Sequence, residues 1–181
     1  MRNDSPETRQ PQAARPQEHA RLVLDRLPGQ PVSRPIRRGL AALDRAEALG
    51  GAGGPYALQA ALAACHARAR SAEETDWKRI AALYDLLRTV LLSPVVDLNR
   101  AVAHSMAFGP EAGLKLVGEI AEEAVLRNYA PLPAAKGDFL FRAGRMAEAK
   151  VEFERAAALT RNERERAFFL ARAAACERPA L

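Results

Sequence analysis

The stretch AAKGDFLFRAGRMAEAKVEFERAAALTR, residues 134–161, decides the fold. It reads as two short helices joined by a tight turn at Ala143-Gly144-Arg145. Gly137 carries no side chain, which suits a point where another helix must come close. Ala149, Phe153 and Ala156 follow at i, i+4 and i+7, on one face of the second helix. Small, large, small along that face is a relief that a facing helix can fill. Phe153 is therefore expected in the groove beside Gly137.

Outward from this hairpin the same plan recurs. Pro55, Pro94 and Pro133 each suit the first turn of a helix, and they stand 39 residues apart. Each opens a helix, a turn and a second helix. A period in this range with helix-turn-helix content signals a helical solenoid. The spacing Gly…Ala-x3-Phe resembles a tetratricopeptide repeat. The match is partial, because Pro133, Lys136, Leu140 and Arg161 replace its frequent Trp, Leu, Tyr and Pro. No stretch alternates as a strand would. The expectation is an all-α, tetratricopeptide-like helical-hairpin solenoid over residues 36–177.

Residues 1–35 hold six of the twelve prolines, a density that blocks helix and sheet ladders alike. They read as a disordered Pro/Arg-rich leader. A one-sided run there, Ala20, Val23, Leu24 and Leu27, is either a docking helix or a coincidence of composition. Ile36, Leu40 and Leu43 begin a helical stripe that continues to Leu49, and Gly50–Gly54 breaks it. Leu58, Ala61, Leu62 and Cys65 line the helix after Pro55. Ser71 and Glu74 form a capping box for a long helix to about Leu91. That helix carries two apolar stripes: Trp77, Ile80, Ala81, Tyr84, Leu87 and Leu91, then Leu83, Leu86 and Val90. It should lie sandwiched between neighbours. Val95, Leu98, Val102 and Met106 are the expected buried face after Pro94. Phe108-Gly109-Pro110 ends one helix and starts the next. The span from Thr160 to Glu163 reads as a second capping box. The last helix is expected to bury Ala167, Leu170, Ala171, Ala174 and Ala175.

Aromatic residues are only 6% of the chain against 49% hydrophobic, so alanine supplies much of the core and favours closely packed helices over sheets. No apolar run reaches the roughly 18 residues a membrane span needs, and residues 1–16 lack a signal core. The net charge is +5, which invites a nucleic-acid reading. Residues 1–39 hold eight arginines against four acids, so most of the excess lies in the leader. The rest alternates in sign, as solvated helix faces do. Specific nucleic-acid binding is not expected. Cys65 and Cys176 read as buried thiols of a reducing cytoplasm.

Chemistry-bearing patterns are sparse. Gly50–Gly54 lacks the Lys-Ser/Thr ending of a phosphate loop and follows a helix rather than a strand. Cys65 and His66 point about 100° apart on a helix, which does not suit a metal site. His19, His66 and His104 are isolated, and no carboxylates pair as acid and base. No enzyme activity, cofactor or metal is expected.

Several blocks together carry a family resemblance: PYALQAALAACHA (55–67), TDW (75–77), IAALY (80–84), SPVVDLNRAVA (93–103), AGR (143–145) through Ala149, and NERER (162–166). In this order and spacing they resemble the tetratricopeptide-like C-terminal extension of a group of bacterial extracytoplasmic-function RNA polymerase sigma factors. That group is associated with DGPF (YCII-related) proteins. The resemblance covers about residues 37–177. It implies involvement in transcription initiation through protein contacts, in the cytoplasm. In that family the extension follows a polymerase-gripping module and a helix-turn-helix that reads the −35 element. The residues before position 37 are too few and of the wrong composition for either, so promoter recognition does not carry over. The chain reads as the extension alone: a gene fragment, a frameshifted start or a free-standing regulator. A tetratricopeptide adaptor with no transcriptional role is the alternative.

The candidate interaction residues come from helix geometry. Arg100 and His104 lie four apart and opposite the Val95–Leu98–Val102 stripe. Asp138 and Arg142 share the far side of their helix at the same spacing. In a hairpin stack the first helices line one groove, so these four would fall in a row along it. Arginine suits carboxylates, so an acidic peptide or helix is the expected ligand. Sigma-factor core domains, RNA polymerase or a DGPF-type protein are the candidate partners. Read instead as solvated i,i+4 neighbours, the pairs contribute only a few tenths of a kcal/mol.

Overall fold

The computed structural model describes residues 53–69 and 73–177. The leader, the Ile36–Leu49 stripe and Ser71 lie outside the described residues. Among those described there are seven α-helices and no strand. They are α1 (Pro55–Arg68), α2 (Trp77–Val90), α3 (Pro94–Phe108), α4 (Pro110–Ile120), α5 (Pro131–Arg142), α6 (Met146–Leu159) and α7 (Glu163–Ala175), with a 3-10 turn at Ala124–Leu126. Each helix packs on the next in sequence, and α3 also touches α5. The first helices of two successive hairpins, α3 and α5, are thus neighbours.

Proline and glycine set the joints. Pro55, Pro94, Pro110 and Pro131 each stand at a helix start, where a missing N–H leaves no bond unmade. Gly109 ends α3 and precedes α4 with φ 100°, and its N–H reaches Ser105 O at 3.1 Å. Gly144 has φ 77° after α5, where Arg145 N bonds Leu140 O at 2.9 Å. Side chains would be strained at both glycines.

Several expected boundaries move. Helix α5 begins at Pro131, and Pro133 sits in its first turn, where no N–H has an intrahelical partner. Helix α2 begins at Trp77, and Asp76 is its cap, accepting Arg79 N at 3.0 Å. Asn162 caps α7, accepting Arg164 N at 2.9 Å. Thr160, the expected cap, instead donates its hydroxyl to Glu165 at 2.7 Å. A carboxylate or amide oxygen one residue before the helix reaches its free N–H groups directly.

The core forms along the hairpin seams. Leu58, Leu62, Cys65, Ile80, Ala81 and Leu87 join α1 to α2. Leu98, Ala101, Val117, Ile120 and Phe139 join α3, α4 and α5. Leu140, Ala149, Phe153, Ala173 and Cys176 close the far end. Gly137 meets Phe153 as expected: a Cβ there would lie 2.9 Å from Phe153 Cδ1. The sequence reading missed Gly113. A Cβ there would lie 2.6 Å from Ser105 Cβ and 2.8 Å from Phe139 Cε2, so α4 is pressed against both α3 and α5.

Three expected faces are corrected. Leu86 and Val90 are exposed, so α2 is packed along one stripe flanked by Leu83 and is not sandwiched at its C-terminal end. Met106 is exposed, and Ala101, Ala103 and Ser105 are buried in its stead, because α3 is held on two flanks by α2 and α4. On α7 the buried residue is Ala173, joined by Cys176 at its C-terminal cap, with Phe169 partly covered. Ala167, Leu170, Ala171 and Ala174 face outward. Helix α6 takes the opposite side of α7.

Candidate functional site

The four candidate residues fall into two clusters. Arg100 Nε donates to Asp85 Oδ1 at 2.6 Å, and His104 Nε2 lies 3.1 and 3.2 Å from the two oxygens of the same carboxylate. Asp85 belongs to α2 and both partners to α3. The His104 ring also leans on Phe108 with centroids 5.4 Å apart. Burial pushes the Asp85 carboxyl up. The bonds and charges of Arg100 and His104 outweigh that and hold it below the ordinary carboxylate value. Arg100 and His104 are only 18% and 17% exposed. Both are thus bound back onto Asp85 of α2, apart from the Asp138–Arg142 pair.

The second cluster does run along the first helices. Arg142 on α5 donates Nη1 to Ser105 Oγ at 3.0 Å and Nη2 to Ser105 O at 2.8 Å. Ser105 is fully buried in the last turn of α3. A guanidinium there satisfies a terminal carbonyl and complements the negative end of the helix. Asp138 sits beside Arg142 at 3.6 Å and accepts from Arg172 of α7 at 2.8 Å. The Arg172 guanidinium lies 4.5 Å from the Phe141 ring centroid, a cation–π distance. One chain of contacts thus ties α3 to α5 to α7. Ser105 and Arg172, its essential members, were not singled out in the sequence. They stand 37 and 34 residues from their partners, and nothing local marks them.

This chain counts more cations than anions. Arg142 and Arg172 share the one carboxylate of Asp138, and all three side chains keep between 28% and 42% of their surface. A separate open hollow of about 490 Å³ lies where α2 ends and α3 begins, lined by Asp85, Arg88, Thr89, Leu92 and Arg100. Arg88 Nε is 2.7 Å from Asp97. Both arginines of the hollow are anchored through Nε. Among the described residues no group of three or more His, Cys, Asp or Glu is placed to hold a metal ion. No helix among them is long and apolar enough to cross a membrane.

No family model and no solved structure matches the chain. Over 115 residues it is 47% identical to an uncharacterized protein of Rhizobium meliloti (strain 1021). The match covers 64% of this chain and 27% of that protein, so the chain spans little more than a quarter of the relative's length.

Proposed function

We propose that this chain is the C-terminal region of an extracytoplasmic-function RNA polymerase sigma factor, a protein-interaction module acting in transcription initiation in the cytoplasm. Its hairpins form a tetratricopeptide-like solenoid, and it neither reads promoters nor catalyses a reaction. The observation that carries the reading is the fit of the resemblance to the helices. PYALQAALAACHA lies on α1, TDW at the cap of α2, SPVVDLNRAVA on the start of α3, and NERER on the cap and first turn of α7. IAALY lies within α2, and AGR forms the turn between α5 and α6. The relative is also much longer than the matched segment, as a module carried within a larger protein requires.

The partly exposed Arg142–Asp138–Arg172 face is the contact surface in this reading, and an acidic segment is its ligand. Sigma-factor promoter modules, core polymerase or a DGPF-type protein supply that segment. The test is pull-down by the full chain of purified core polymerase and of sigma-factor promoter modules. Retention that falls with Arg172→Glu in a variant that still folds, or rises with salt removal, supports the reading. No retention of either in low salt contradicts it and leaves the adaptor alternative.

A further inference from the structure

Helix α7 has a second apolar face that nothing among the described residues covers. Ala167, Leu170, Ala171 and Ala174 recur at i, i+3, i+4 and i+7 and all point outward. Phe168 is 59% and Leu170 49% exposed beside them. Helices α2 to α6 are flanked by the helices before and after them in sequence, whereas among the described residues α7 packs on α6 alone as a sequence neighbour.

We propose that this face pairs with the same face of a second copy of the chain, forming an antiparallel α7–α7 dimer. The inference stands apart from the transcriptional reading. It rests on self-complementarity, which a two-fold interface demands. About a point between residues 170 and 171 the stripe is symmetric. Ala167 meets Ala174 of the second copy, and Leu170 meets Ala171 of the second copy. Small residues on both sides let the backbones approach closely. The same axis sets Arg164 against Glu177 of the second copy, at both ends of the seam. Arg164 has no ion-pair partner among the described residues and is exposed. Glu177 accepts from Lys150, and its side chain keeps 59% of its surface. A carboxylate has lone pairs for both cations. A single helix pair covers less area than a standard interface, so the dimer is weak, in the micromolar range.

Sedimentation equilibrium of the full chain tests this. The wild type should dimerise at micromolar concentrations. Leu170→Glu should raise the dissociation constant about tenfold or more, with the helical circular dichroism unchanged. Should that variant fail to fold, the milder Ala174→Gln carries the same test. Arg164→Glu should also weaken the dimer, and adding Glu177→Arg to it should restore most of the loss. A wild type that stays monomeric to high-micromolar concentration overturns the proposal. So does a dimer that Leu170→Glu leaves intact, or a charge swap that restores nothing.

Discussion

The α5–α6 hairpin and helix α7 carry equally legible apolar patterns, and the two behave oppositely. In the hairpin, the face marked by Gly137, Ala149, Phe153 and Ala156 is the buried one, with Ala149 and Ala156 at 0% exposure. In α7, the marked face of Ala167, Leu170, Ala171 and Ala174 points outward. The core is built from Ala173 and Cys176 on the other side. Periodicity reports which faces of a helix are apolar. Only a neighbour decides which of them is covered. The hairpin contains both partners in one stretch, so its sequence specifies the match. Helix α7 has two apolar faces and meets its partner only through the stack.

Phe153→Ala should give the largest loss, because the ring fills the groove at Gly137 and also underlies α7 through Ala173 and Cys176. A cost of about 3–5 kcal/mol is expected, read as a large fall in melting temperature. Gly113→Ala comes next. The overpacking against Ser105 and Phe139 costs about 1–3 kcal/mol, which exceeds the gain of at most ~1 kcal/mol from replacing a helical glycine. A more stable variant would mean that α4 is free to shift. Arg142→Ala removes two hydrogen bonds to Ser105 and strands a buried hydroxyl. With the arginine 31% exposed, the expected cost is about 1–2 kcal/mol. An unchanged melt would show that water replaces the guanidinium.

The smallest effect is electrostatic. The Asp85 carboxyl is held below its ordinary 3.8 in the folded chain. Its ionised form therefore adds stability above that value and loses the contribution as pH falls through the folded-state pKa. The carboxylate is 45% exposed, so the pair contributes under about 1 kcal/mol after screening. Asp85→Asn should flatten the acid limb of the stability curve below about pH 4 and leave little change at pH 7. Acid limbs that superimpose would remove the pair from the account.

Much of the fold could be read without coordinates. The prolines at 55, 94 and 110 mark helix starts because their missing N–H costs nothing there. Gly109 and Gly144 mark helix ends because they take positive φ. Caps were less legible. Asp76 and Asn162 each compete with nearby Ser or Thr residues of equal capping power, and backbone geometry decides between them. The candidate site was half legible. Asp138 and Arg142 do lie on the side facing the neighbouring first helices. Their partners Ser105 and Arg172 come from helices more than thirty residues away, a pairing no local spacing encodes. Arg100 and His104 are bonded to Asp85 of α2, 15 and 19 residues earlier, a pairing that the spacing on α3 does not encode.

A paired melt tests the orientation of α7 most directly. Ala173→Asp and Ala171→Asp sit two residues apart on the same helix and carry the same intrinsic helix cost of at most ~0.7 kcal/mol. At dilute protein concentration, Ala173→Asp should destabilise the fold by several kcal/mol, because it buries a carboxylate beside Cys176 and Phe153. Ala171→Asp should stay within that small intrinsic cost of the wild type. Equal losses in the two variants, or the larger loss in Ala171→Asp, would contradict the account.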